Sequence, residues 1–474
     1  MIQQSSLAIT LAALAVSATA APPEVLIDAA NGNSHADVQH VLDAYPKNTT
    51  FRLVGEFAFG DHVHVEKSGT RLLGDWVDTN GNGRPDETDT WNTTIRIADG
   101  VPFIEGFKLL PRDEVNSTGY DVRNVEITGM HFSGVNVPLA APPFPSGDQA
   151  GCRAEPLPYL LSNASFTDNW VEGGGIFVYR EVRDMDISNN RFTQFQSQQI
   201  LAHAVEMKGW TLSECGMPFG ASWQGQSDLR IVDNVFTEGR DISVGFQHQI
   251  TVAGNEFSGS EPGSFKLWME VTDNARISDN RFEGGPGSYG ILLWALSREG
   301  FVPTSDSTRR VDITGNAFVD VDMGVATVGG IDNSNIRNNS FALNGNPTPF
   351  EGSGIVLMDT METYLGRPGL PSFVSSRPSR GVNISRNQID GAGFAGVLLN
   401  GTTTGVTIND NSLSNPAALF GDVYLAPNDV VLGLPEADCP AHGNRVSGLD
   451  GDDIVTDGYD AVCPSTKPNT VRYR

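Results

Sequence analysis

Apolar positions recur along this chain in a pattern that is neither helical nor a plain alternation. The template is an aliphatic residue, two mostly polar ones, an asparagine, a variable residue, then an aromatic or aliphatic one. Residues 187–192 read Ile-Ser-Asn-Asn-Arg-Phe, and the template returns at 231–236, 252–257, 277–282, 313–318, 336–341, 384–389 and 408–413. Upstream, 166–171 keeps it, and 127–132 keeps all but the asparagine, with Met130 in its place. The stretch Gly443-Asn444-Arg445-Val446 reads as a degenerate last copy. Template asparagines lie 21 residues apart from Asn169 to Asn190, 25 from Asn255 to Asn280 and 24 from Asn387 to Asn411. A period in the low twenties built from short strands marks a solenoid.

The first and last template positions read as inward ends of two short strands, with the asparagine at the bend between them. Asparagine tolerates the left-handed backbone of a sharp corner, and its amide can satisfy groups the bend leaves unpaired. Stacked at the strand spacing of about 4.8 Å, such amides form a hydrogen-bonded ladder. A third strand opens with glycine at Gly175, Gly290, Gly324, Gly354 and Gly396, each followed by Ile or Val. Three strands per turn, with Asn at one corner and Gly opening another, resembles the right-handed parallel β-helix of the pectate-lyase-like superfamily. The expected fold is therefore all-β, a single-stranded right-handed parallel β-helix with an N-terminal capping helix and long loop insertions. The resemblance covers most of the chain after about residue 50. It carries fold and not activity, because one scaffold hosts many chemistries.

Residues 1–20 read as a secretory leader, with a short apolar core from Leu7 to Val16 and the small-residue signature Ala18-Thr19-Ala20. Residues 21–474 are then one elongated domain, with a cap helix over 34–46 and a C-terminal cap from about 440. The helix rests on Val38, Val41, Leu42 and Tyr45, with Ser34 or Asn33 to cap it and Pro46 to stop it. Four cysteines, Cys152, Cys215, Cys439 and Cys463, suit an oxidising compartment such as the extracellular space or a periplasm. Pairs Cys152–Cys215 and Cys439–Cys463 would staple nearby loops; three connectivities are possible, and free buried thiols are the alternative. A net charge of −26 repels polyanions, which argues against nucleic acid and anionic membranes as partners. No later stretch is long and apolar enough for a membrane span, and a monomer is expected.

One stretch, 78–89, has ligand-like spacing. Counting Asp78 as position 1, Asn80, Asn82, Asp86 and Asp89 put oxygen donors at 3, 5, 9 and 12, and the Arg84 carbonyl serves position 7. It resembles the calcium loops of EF-hands and the Asp/Asn-Gly-Pro-Asp repeats of extracellular calcium proteins, but has Asp for Glu at position 12 and no flanking helices. The expectation is a structural Ca²⁺; the alternative is a polar turn that binds nothing.

Insertions at 210–226, 298–308, 360–378 and 427–441 mostly follow the Gly-opened strand and build a wall along one edge. The superfamily resemblance also places the substrate along that strand's outer face. Strand alternation turns Tyr179, His203, Lys266, Trp268, Glu270 and Trp294 outward there, with Arg180 beside them. Trp268 and Trp294 fall at the same position on consecutive coils in this reading. Aromatic faces stack on sugar rings, and Arg180 offers a cation to a sugar carboxylate; Lys266, His203, Tyr179 and Glu270 are the types needed for acid–base work at a uronic acid. The bland alternatives are aromatics packed beneath the loops, a hydrogen-bonded His203 and a surface Lys266–Glu270 ion pair.

Signatures of polygalacturonases, pectate lyases and mannuronan epimerases are absent, so no family site carries over. Two readings of different class stand: a secreted polysaccharide-active enzyme, lyase ahead of hydrolase, or a non-catalytic glycan-binding or adhesive β-solenoid.

Overall fold

A computed structural model describes residues 24–473 except 103–105, 110–111, 113–119, 139–158, 180–181, 195–197, 204–226, 239, 246–247, 260–262, 271, 295–307, 349–350, 359–378, 402, 427–440, 451 and 459–466. Residues 1–20, read above as a leader, the four cysteines, Arg180 and most of each insertion lie outside the described residues.

Nearly every template copy becomes two short strands, and each pairs in parallel with the same strand of the next coil. Ile187 faces Ile231, which faces Val252, which faces Ile277. Beyond the corner, Phe192 faces Phe236, then Phe257, then Phe282. We call these sheets I and II. The Gly-opened strands form sheet III, with 11 strands from Val137–Pro138 to Val455–Asp457. The core sits between the three sheets. It contains a column of stacked phenylalanine rings, with centroids 4.9 Å apart from Phe192 to Phe236 and 4.5 Å from Phe318 to Phe341 and ring planes nearly parallel throughout. Removing one such ring costs about 3–5 kcal/mol.

At the corner the asparagines form the ladder. The Asn169 amide donates to Asn190 Oδ1, Asn190 to Asn234, and so on through Asn255, Asn280, Asn316, Asn339 and Asn387 to Asn411. The left-handed residue is not the ladder asparagine but the one before it: Asn189, Asp233, Asp279, Asn338 and Arg386 all have φ between 53° and 58°. Template position three is therefore Asn, Asp or Gly almost everywhere, because those residues tolerate that conformation best.

The ladder has apolar ends. Met130 lies one coil before Asn169. At the other end Val446 pairs with Ile408, so Leu449 falls at the asparagine position beyond Asn411. The last copy thus starts at Val446, and the Asn444 alignment is corrected by five residues. Asn444 serves a different corner, accepting from Val406 N and donating to Thr403 O.

The N-terminal end carries the helix His35–Ala44. Ser34 and Asp37 exchange side-chain and backbone hydrogen bonds in a capping box, and Val38 and Leu42 are buried against the first coils. Among the described residues no helix is long and apolar enough to cross a membrane.

Candidate functional site

The outer face of sheet III is organised by register. Phe177, Leu201, Ser243, Trp268 and Leu292 form one row along the solenoid axis. Tyr179, His203, Gly245, Glu270 and Trp294 form the next. Trp268 is therefore level with Leu292 and not with Trp294, a two-residue correction to the sequence alignment of the pair. The two rings still meet, stacked at 4.7 Å and 25°. For Tyr179, His203 and Glu270 the description extends to the backbone. It places His203 and Glu270 two strand spacings apart, about 10 Å, with Gly245 between them.

Lys266 stands apart from this row. It lies between Phe265, paired with Tyr289, and Leu267, paired with Ile291, so its register partner is Gly290. A Cβ on Gly290 would meet the Phe318 ring at 2.5 Å, and one on Gly324 would meet the Phe341 ring at 2.4 Å. Positions in this column look into the solenoid, because strict alternation fails where the chain turns the corner into the strand. Lys266 fills that column and is 1% exposed. The expected solvent-facing lysine is a buried one.

Most of the outer face is closed. Leu292, Trp294, Ala326, Val356, Leu398 and Tyr424 belong to a second apolar cluster, separate from the solenoid core. Trp294 is 5% exposed within it. Trp268 lies at its rim, half-buried, and its Nε1 has no hydrogen-bond partner among the described residues. On the earlier strands, Ile176–Tyr179 to Ser264–Glu270, Phe177 and Trp268 are partly exposed and Ser243 is buried. Packing of the second cluster was not legible, since Leu292, Val356 and Leu398 read equally well as core.

The stretch 78–89 forms the tip of an antiparallel hairpin between Trp76–Val77 and Thr90–Trp91. Trp76 stacks on Trp91, which leans on His131 and Trp170, and those two rings stack at 4.1 Å. Burial holds the His131 imidazole below its ordinary pKa, against the pull of Glu172 at 3.2 Å. The tip is tied to later coils by Arg84 to Glu256 (2.5 Å), Glu87 to Arg191 (2.8 Å) and the Asn189 amide donating to Gly83 O (3.0 Å).

The candidate ligand oxygens are engaged within the loop. Asp78 accepts from Gly81 N and Gly83 N, and Asp89 from Trp76 Nε1, Thr79 N and Asp86 N. The Asn80 and Asn82 amides donate to Asp86 Oδ2 at 2.6 and 2.9 Å. In this arrangement the loop's carboxylates are met by N–H groups of the loop itself. Among the described residues, no three His, Cys, Asp or Glu side chains gather as a metal centre.

A family model described as periplasmic copper-binding protein (NosD) matches residues 162–368. The three parallel sheets and their coil-to-coil register agree with that match. The chain is a right-handed parallel β-helix. Solved structures similar to this β-helix include PfbA, a surface adhesin of Streptococcus pneumoniae. The identity there is 12%, covering 81% of this chain and 88% of that one, with a TM-score of 0.40. A double mutant of the tailspike protein of E. coli bacteriophage HK620, in complex with a pentasaccharide, is 11% identical. That match covers 95% and 76% of the two chains with a TM-score of 0.49. The catalytic domain of a GH87 α-1,3-glucanase in complex with nigerose is 13% identical, covering 95% and 68% with a TM-score of 0.42. No curated protein matches the chain.

Proposed function

We propose that this β-helix binds a polysaccharide along the outer face of sheet III, over the strands Ile176–Tyr179 to Ser264–Glu270, outside the cytoplasm. The observation that carries the reading is Trp268: a half-buried indole at the rim of a closed apolar cluster, backed by the Trp294 ring. A supported aromatic plate suits the apolar C–H face of a sugar ring.

Beside that plate, Tyr179, His203 and Glu270 share one row. They supply the acid–base types that β-elimination at a uronic acid needs, with Arg180 available for the carboxylate. Among the described residues of the two rows Glu270 is the single carboxylate, where glycoside hydrolysis ordinarily uses two. Lyase chemistry is therefore ahead of hydrolysis. The closed state of the later coils favours a second reading, an adhesive binder without turnover.

A panel of uronans, pectins and neutral glucans separates the readings. It is assayed for binding, for absorbance of unsaturated products and for new reducing ends. Binding with unsaturated product supports the enzyme; binding alone supports the adhesive protein; binding to no member overturns both. Trp268→Ala should weaken binding by about 1–3 kcal/mol, by analogy with other aromatic stacking sites.

A further inference from the structure

We propose that copies of this chain add head to tail, the strand Thr470–Tyr473 of one rod pairing with the strand Glu24–Asp28 of the next, in place of the monomer expected from the sequence. Both strands belong to sheet I and stand at its opposite ends. Among the described residues each pairs with one strand only, Glu24–Asp28 with residues 50–54 and Thr470–Tyr473 with Arg445–Leu449. An edge strand offers a row of backbone donors and acceptors to another chain.

Register makes the two edges match. One inward column of sheet I begins with Val25 on Phe51 and ends with Ile408 on Val446 and Val446 on Val471. Phe51, Ile408 and Val446 are buried, whereas Val25 and Val471 are only partly covered, so the core ends half-open at both tips of the rod. Seating Val471 of one copy over Val25 of the next continues the column across the joint at the ordinary strand spacing of about 4.8 Å. The same register brings Arg472 level with Leu26.

Charge selects this pairing over its alternatives. In a chain with 57 acidic and 31 basic side chains, residues 467–474 carry Lys467, Arg472 and Arg474 and no acidic side chain. The strand Glu24–Asp28 carries two carboxylates and no cation. Like ends therefore repel and unlike ends attract. Within the chain Arg52 is already level with Leu26, and its Nε meets Glu24 at 2.9 Å. Arg472 of a second copy takes the same diagonal position from the other side, so the joint repeats a contact that the rod makes internally. Glu24, Leu26 and Arg472 are all exposed. The contact joins two different surfaces, so it does not close on two copies but runs on as an open series.

Sedimentation velocity of the purified protein over a concentration series, with negative-stain images of the longest species, tests this. Dimers, trimers and longer rods are expected, growing with concentration and shrinking at about 1 M salt. Glu24→Arg and Arg472→Glu should each lower the association constant at least tenfold with thermal melts unchanged, and the two changes combined in one chain should restore it. A wild-type chain that stays monomeric across the series overturns the proposal, and so does assembly that stops at a dimer. Association unchanged in both single variants also overturns it, because the rods would then join through another surface.

Discussion

Asn280 shows how much one buried amide holds. Its Oδ1 accepts from the backbone N–H and the amide of Asn255, while its Nδ2 donates to Val252 O and to Asn316 Oδ1. Asn280→Ala leaves buried donors and an acceptor unmet at about 1–3 kcal/mol each, so a loss of about 3 kcal/mol or more is expected in a urea melt. A loss below 1 kcal/mol would mean that the corner relaxes around the gap. Lys266 is the other residue whose character depends on position. Buried in the glycine column, its truncation to alanine removes packed methylenes as well as a charge, and a fall in the thermal midpoint is expected. An unchanged midpoint would return Lys266 to the surface. Sequence alternation could not reveal this, because the column flips inward only where the corner forces two successive residues to the same side.

Among elements, the hairpin 76–91 is the one held most by its own polar side chains. Hydrogen bonds from Thr88, then from Asn80 and Asn82, hold the Asp86 carboxyl down at about 2, against an ordinary 3.8. A depressed carboxyl stabilises the fold above its unfolded value and loses that contribution as pH falls through the folded one. The Trp76–Trp91 fluorescence should therefore stay native-like down to about pH 2–4 and change within that window, whereas Asp86→Asn should flatten the dependence. The proposed calcium would exchange these hydrogen bonds for oxygen ligation, with the Asn80 and Asn82 amides turned over to present oxygen. A melting midpoint that rises with Ca²⁺ and falls with chelator would show that turnover, and an indifferent midpoint would leave a self-bonded turn. On the outer face of sheet III the paired indoles should separate by role. Trp294→Ala is expected to destabilise by about 3–5 kcal/mol as a core ring, while Trp268→Ala acts mainly on glycan binding. The pairing of coils was legible because Ile, Asn and Phe repeat in fixed order. The two-residue offset of the indoles was not, since nothing local records how far each strand runs past its corner.

The whole molecule is a rod in which each coil touches mainly its neighbours, so stability accumulates coil by coil. Its architecture could be read almost entirely from the template, while the candidate site could be read only to the level of a face. Which part of that face stays open depends on the second apolar cluster, and its members carry no signal that distinguishes outside from inside. The ladder has a further property at this scale. Every amide-to-amide bond from Asn169 to Asn411 runs the same way, from an earlier coil to a later one. Amide dipoles of about 3.5 D each therefore add head to tail, with Met130 and Leu449 as apolar stoppers in register at the two ends. The rod consequently has an electrical direction, positive toward Asn411, threaded through its interior independently of the 57 acidic and 31 basic side chains elsewhere in the chain.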